Sequence, residues 1–231
     1  MKTFIVIPVL NEEASIAECL DSVVAQTRPF DGIIIVDNNC TDQTSNIARR
    51  YPGVTIVEEV QQGMSFARTC GFDYAARRGA DILCRIDADV RLPENYAATV
   101  TEYFEAPAHF KTVGVTGPLK VYDSSLKHFL HLESRMIGSL TKRFLGGTVF
   151  IRGCNMVLRT ETWLQIRRQV SRGDLIHEDM DISYQAAKCG QLVFLPSLLA
   201  YVSSRTYIKS PRRSVNYFWR WVYSFYYLRS S

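Results

Sequence analysis

A chain of 231 residues, 47% of them hydrophobic, is long enough to bury one sizeable core and short enough for an α/β fold to stay one domain. Its 27 basic and 23 acidic side chains leave a formal charge of only +4, which gives no case for nucleic acid as a partner. The cysteines at 19, 40, 70, 84, 154 and 189 form no C-x-x-C pair and have no His at zinc-ligand spacing, so reduced thiols in a reducing cytosol fit better than a secreted disulfide scaffold.

In chain order, the first feature is an apolar, β-branched run over 4–9; Pro8, Asn11, Glu12 and Glu13 interrupt it too early for a signal peptide. A helix is expected after Asn11, which can cap it, with Glu12 and Glu13 in its first turn and Ile16, Leu20, Val23 and Val24 as its buried stripe. Further strands are expected over 33–36, 54–60 and 82–86. Between and after them Thr41 caps a second helix, Ser65 a third that ends near Arg78, and Pro93 opens a fourth. Strands alternating with helices read as βαβ units and a parallel sheet.

From about Val113 the rhythm changes. The pattern predicts a strand over 113–117, a long helix over 123–143, a turn at Gly146-Gly147 and a strand over 148–152. A helix over 179–188 and a strand over 192–195 follow. The end of the chain, 210–231, sets Arg212, Arg213, Arg220 and Arg229 among eight aromatic rings. As a helix it would be apolar nearly all round, suited either to burial against the body or a second subunit, or to a membrane surface carrying anionic lipid. No stretch reaches the roughly 18 to 20 apolar residues that a membrane span requires.

In open α/β sheets ligands bind beyond the carboxyl ends of the strands, so polar residues directly after strands carry the most weight. Asp87 and Asp89 follow the fourth strand, separated only by Ala88. In extended backbone they point to opposite sides, which lets one meet a metal and the other a ribose hydroxyl. Magnesium and manganese are commonly held by one or two carboxylates with substrate phosphates completing the shell. A solvated turn at a strand end would use the same residues. Asp37 either closes a turn by accepting backbone amides or faces the crevice as an acceptor for a base imide or a ribose hydroxyl. Glu12, in a helix's first turn, is favoured by the macrodipole whatever its function. His177-Glu178-Asp179-Met180-Asp181 precedes an amphipathic helix. A carboxylate there could take a proton from an acceptor hydroxyl, a role that supplies about 10² to 10⁴ in rate, or could simply dress a helix N-terminus.

Taken together, Ile5-Val6-Ile7-Pro8-Val9-Leu10-Asn11-Glu12-Glu13, Val36-Asp37-Asn38-Asn39-Cys40-Thr41-Asp42, Gly63 with Ala67-Arg68 and Gly71, Asp87-Ala88-Asp89 and Glu178-Asp179 resemble family 2 glycosyltransferases in order and spacing. The resemblance implies a GT-A fold, a Rossmann-like α/β architecture with a mostly parallel central sheet flanked by helices and a smaller acceptor-side region. It divides a single domain, 1–231, into a nucleotide-sugar half over 1–112, an acceptor half over 113–209 and the tail.

For the site, the resemblance implies that Pro8, Val9, Leu10, Glu12 and Asp37 contact base and ribose with Arg68 nearby. Asp87 and Ala88 would lie against the ribose or sugar, and Asp89 would hold Mn²⁺ or Mg²⁺ on the diphosphate. Asp179, beside Glu178, would be the base of an inverting transfer. The Gly-rich stretch over 146–155 would lie under sugar and acceptor, with Gly153 and Asn155 on the acceptor side; a plain turn needs the same glycines. The implied partners are a nucleotide-sugar donor, a UDP-sugar first, and a saccharide or lipid-linked acceptor, with no nucleic acid. The implied place is the cytoplasm or the inner membrane surface.

Two features depart from the family pattern. Many relatives carry a His in the C-terminal part as a further metal ligand, whereas here Tyr201-Val202-Ser203-Ser204-Arg205-Thr206-Tyr207 has none, leaving Arg205 as a group that could offset phosphate charge. A processive synthase would need membrane helices and Q-x-x-R-W, of which Trp219-Arg220-Trp221 keeps only the last two letters. A nucleotide-sugar binding module without turnover is the other alternative.

Overall fold

The computed structural model describes residues 1–123, 147–171, 176–205 and 223–224. The helix expected over 123–143 and almost all of the basic aromatic tail therefore lie outside the described residues. The first half runs β1 (Thr3–Val9), α1 (Ile16–Val24), β2 (Gly32–Asp37), α2 (Thr44–Ala48), β3 (Val54–Glu58), α3 (Met64–Arg77), β4 (Ile82–Arg85) and α4 (Tyr96–Glu105). The second half runs β5 (Thr112–Thr116), β6 (Leu119–Val121), β7 (Met156–Arg159), α5 (Thr160–Ile166), α6 (Glu178–Ala187), β8 (Gln191–Phe194) and β9 (Ala200–Val202).

The main sheet has seven strands in the order β3-β2-β1-β4-β7-β5-β8. β7 is antiparallel to both of its neighbours, and every other adjacent pair is parallel. β6 and β9 make a separate parallel pair.

β1 and β2, at the centre of this half of the sheet, are almost wholly apolar because both of their faces are covered. Alternate residues serve opposite faces. Ile5 and Ile7 pack with Ile16, Leu20 and Val23 of α1 and with Tyr96, Val100 and Phe104 of α4. Phe4, Val6, Ile34 and Val36 pack on the other face with Ala67, Phe72 and Ala75 of α3 and Trp163 of α5. α3 lies close against β1 and β2 because residue 71 is glycine. A Cβ there would sit 2.3 Å from Val6 Cγ1 and 2.8 Å from Val36 Cγ2. Gly71→Ala is expected to lower stability by about 1–3 kcal/mol through overpacking. A thermal melt should show a midpoint several degrees lower, at about 2–4 °C per kcal/mol for a chain of this size.

Several local expectations are corrected. Asn11 does not cap α1: it is a left-handed turn residue with φ 55°, and its Oδ1 accepts the Thr41 N–H at 2.8 Å. α1 begins at Ile16 instead, after a turn in which the Glu12 carbonyl accepts from Ser15 and Ile16. Val24 is 40% exposed rather than part of the buried stripe. Asp42, not Thr41, bonds the start of α2, accepting the Thr44 N–H at 2.9 Å. The turn after Pro93 ends with its carbonyl bonded to Tyr96 N–H, so α4 starts three residues late.

No strand forms over 148–152. The Ile151 N–H donates to the Ser183 hydroxyl of α6, which ties that segment to a helix rather than to a ladder. The strand follows at β7, after a 3₁₀ turn at Gly153–Asn155, and it enters the sheet against the direction of its neighbours.

Candidate active site

The ends of β1, β2 and β4 lie at one end of the sheet, where the N-terminus of α6 and Arg205 after β9 meet residues that follow β1 and β4. At the end of β1, Pro8 and Val9 are buried in the strand, with Val9 paired to Asp37 of β2, and Leu10 is exposed just beyond. Asp37 Oδ1 accepts the Cys40 N–H at 2.8 Å and its Oδ2 accepts the Ser45 hydroxyl. Burial works against ionisation here, but the bonds from Ser45 and Cys40 outweigh it and hold the Asp37 carboxyl below its ordinary range. A depressed carboxyl stabilises the fold above its unfolded pKa and loses that contribution as pH falls through the folded value. Melts of wild type and Asp37→Asn are therefore expected to differ at pH 7 and to converge as pH falls past the ordinary Asp value of 3.8 and through the lowered folded value.

After β4 the two carboxylates diverge. Asp87 Oδ1 accepts from Arg85 Nη2 at 3.1 Å, whereas Asp89 Oδ2 lies 3.7 Å from Arg205 Nη2. The Asp87 side chain is 38% exposed and that of Asp89 is 16% exposed, while Ala88 between them is buried. Desolvation by the surrounding protein, with Asp179, Asp89 and Glu178 adding and Arg85 opposing, pushes the Asp87 carboxyl up to about 6. Burial also raises Asp89, against the pull of Arg205.

Glu178 and Asp179 open α6 after His177, whose backbone N–H donates to the Ser224 hydroxyl at 2.6 Å. Asp179 Oδ2 accepts the Gly153 N–H at 2.8 Å, and Oδ1 lies 3.0 Å from Arg85 Nη1. Glu178 Oε1 lies 3.0 Å from the same nitrogen, and its Oε2 lies 3.5 Å from Nη1 of the fully buried Arg68. One guanidinium thus joins Glu178 and Asp179 of α6 to Asp87.

Arg85 is the site residue that the motif reading missed. It is the last residue of β4, and only 2% exposed. Burial alone would drive its charge off, but Glu178, Asp87 and Asp179 reverse that and raise its pKa. The signal was present as a lone Arg inside the apolar run Ile82-Leu83-Cys84-Arg85-Ile86. A charge is almost never fully buried without a partner, so it called for carboxylates from elsewhere in the chain. Gly153 is required beside it, since a Cβ there would stand 2.0 Å from Arg85 Nη1.

The Asn155 side chain is fully buried, donating to the Leu198 carbonyl at 2.8 Å and accepting from the Tyr96 hydroxyl at 2.7 Å, so it stitches distant segments of the fold together. Glu12 turns toward Arg205, with Oε2 paired to Nη2 and accepting the Ser15 hydroxyl at 2.9 Å.

Among the described residues no three His, Cys, Asp or Glu side chains are grouped to hold a metal ion. Asp89 offers hard oxygen donors from one carboxylate. That donor set fits Mg²⁺ or Mn²⁺ with phosphates and water completing the shell, and does not fit an all-protein cage. Among the described residues no helix is long and apolar enough to cross a membrane.

A mostly parallel sheet covered on both faces, with carboxylates after β1 and β4 and at the start of α6, defines a Rossmann-like architecture of the GT-A type. The chain belongs to glycosyl transferase family 2, whose profile matches residues 4–165. Glycosyltransferase AglE of Haloferax volcanii is 36% identical over 92 residues, covering 37% of this chain and 29% of that protein. The poly(ribitol-phosphate) beta-glucosyltransferase of Bacillus spizizenii is 45% identical over 64 residues, covering 25% of this chain and 10% of that protein. The chain thus spans less than a third of the length of these relatives. Among solved structures, S. aureus TarS 1–349 in complex with UDP-GlcNAc superposes with a TM-score of 0.68 at 17% identity, over 93% of this chain and 61% of that one. Mannosyltransferase PcManGT from Pyrobaculum calidifontis, in complex with GDP-Man and Mn²⁺, gives 0.64 at 19% identity, over 87% and 56%. These likenesses show the fold.

Proposed function

We propose that the chain transfers a sugar from a nucleoside-diphosphate-sugar donor to a hydroxyl of a saccharide or lipid-linked acceptor, with inversion at the anomeric carbon. The observation that carries this reading is the Arg85 guanidinium, which ties Asp179 and Glu178 of α6 to Asp87 after β4. It puts a candidate base and a donor-side carboxylate on either side of one fixed cation. Family membership supports the donor class, as do the neighbours solved with UDP-GlcNAc and with GDP-Man.

In this reading the half over 1–112 holds the donor and the half over 113–209 the acceptor. Base and ribose lie along Pro8, Val9, Leu10, Glu12 and Asp37, and Asp87 and Ala88 lie against the ribose or sugar. Asp89 is the residue that would hold a divalent cation, which when bound supplies charge stabilisation to the departing diphosphate. Asp179 accepts the acceptor hydroxyl's proton as the new bond forms. Its two oxygens are oriented by Gly153 N–H and Arg85 Nη1, and a fixed carboxylate costs less to align than a free one. Arg68 and Arg85 set two positive charges against the acid cluster.

The test is a panel of nucleotide sugars offered with simple saccharide and lipid-linked acceptors, with Mn²⁺ or with EDTA. Nucleoside diphosphate release and the anomeric configuration of the product by NMR are the readouts. The expected result is transfer from one donor class with inverted configuration and at least about tenfold more with Mn²⁺. A product with retained configuration, or binding of donor with no turnover on any acceptor, would overturn it.

A further inference from the structure

Arg205 makes contacts that the scheme above leaves without a role. It follows β9, and its Nη2 pairs with Glu12 Oε2, lies 3.7 Å from Asp89 Oδ2 and approaches Ser15 Oγ at 3.5 Å. Glu12 comes from the end of β1 and Asp89 from the turn after β4, so one guanidinium bridges two strand ends of the donor-side crevice. The side chain is 29% exposed, at the lip rather than in the core. All of its described side-chain contacts are made through Nη2, and Nε and Nη1 have no partner among the described residues.

The backbone that carries it is firmly held. Arg205 N–H donates to Ser203 Oγ at 3.1 Å. The Ser203 hydroxyl and the Ser204 N–H, the latter at 2.6 Å, both donate to Asp123. Tyr201 exchanges backbone bonds with Arg91, whose guanidinium sits 4.0 Å from the Tyr122 ring. A rigid turn thus presents a fork of nitrogens with donors to spare beside two carboxylates. A planar guanidinium with free donors suits bidentate recognition of a phosphate.

We propose that Arg205 is the chain's own counter-cation for the donor diphosphate, and that it shares Asp89 with the divalent cation. This rests on the nucleotide-sugar reading and adds a second source of positive charge to it. Without ligand, Arg205 neutralises Glu12 and Asp89 and competes with a divalent cation for Asp89, because two cations on one carboxylate repel. When a diphosphate enters, its oxygens take the spare donors of Arg205, and the two cations then hold one anion together. Coupling between nucleotide and metal is reciprocal, so each tightens the other. The same fork gives the crevice residual affinity for a nucleoside diphosphate with no metal present.

The experiment measures Mn²⁺ alone, and UDP and GDP each with Mn²⁺ or with EDTA, by titration calorimetry on wild type, Arg205→Gln and Arg205→Lys. Arg205→Gln is expected to bind Mn²⁺ alone about threefold more tightly, the size of a partly exposed pair. It should bind the preferred nucleotide in EDTA about tenfold or more weakly, the loss of charged hydrogen bonds to phosphate. Arg205→Lys should recover part of the EDTA binding as a point charge. Unchanged nucleotide affinity in EDTA, or Mn²⁺ binding that is no tighter in Arg205→Gln, overturns this inference alone. Wild type that binds neither UDP nor GDP with Mn²⁺ present overturns the donor reading itself. Equal melting midpoints of the variants separate a binding effect from a folding one.

Discussion

Asp179→Asn is expected to reduce sugar transfer by at least about a hundredfold while nucleotide affinity changes by less than about threefold. Asn has the shape of Asp and can still accept the Gly153 N–H, now made at 2.8 Å, so α6 should keep its place against the 153 turn. What it lacks is the charge that attracts the acceptor proton. General-base catalysis of this kind contributes about 10² to 10⁴, and its loss falls on the chemical step rather than on donor binding. Comparison with Glu178→Gln sharpens the assignment. Glu178 faces Arg85 and Arg68 through its two oxygens, so its variant should lose stability more than turnover. If Asp179→Asn turns over at the wild-type rate, Asp179 is not the base, and an equal loss in both variants would make the pair an electrostatic unit instead.

Arg85→Met is expected to lower stability by about 3–5 kcal/mol, the cost of leaving buried acids without their partner. Three carboxylates, from Glu178, Asp179 and Asp87, contact this one guanidinium at 3.0–3.1 Å. Its removal leaves Glu178 with only the more distant Arg68 and Asp179 with only the Gly153 N–H, each little exposed. On a chain of this size the melting midpoint should fall by about 10 °C or more. Arg85→Lys restores one charge but not the fork, since a single ammonium cannot reach both sides as a planar guanidinium does. Its melting midpoint should lie between the other two, with turnover still depressed because Asp179 is no longer held. A wild-type melt for Arg85→Met would show that the network adds nothing to the fold.

These two residues illustrate how unevenly the site could be read in advance. The acidic run over 178–181 stood out because carboxylates before an amphipathic helix are a local pattern with a chemical use, and the family resemblance singled out Asp179 within it. Arg85 did not, because its meaning lies in partners about ninety residues away, which no short window contains. The contacts of Asn155 were hidden for the same reason, since Tyr96 and Leu198 from distant segments take up both ends of its amide. Asp37 answers to the turn-closing alternative in its observed contacts, while its part in holding a donor stays with the proposal.

What the amino-acid order determined by itself was the type and order of the elements in the first half, though not their exact ends. Apolar runs with β-branched residues had to become β1 to β4, helical periodicity had to fill the spaces between them, and strand-end carboxylates had to collect at one end of a parallel sheet. These follow from period and propensity, which act over a few residues. Only the tertiary structure decided that 148–152 would be tied to α6 through Ser183 while Met156–Arg159 entered the sheet antiparallel. It alone decided that Arg85 would join α6 to the turn after β4, and that Arg205 would span Glu12 and Asp89. The physical reason is the same in each case. A buried charge or an unpaired backbone group is satisfied by whatever the fold brings near, and that neighbour is set by packing of the whole chain rather than by the residues beside it.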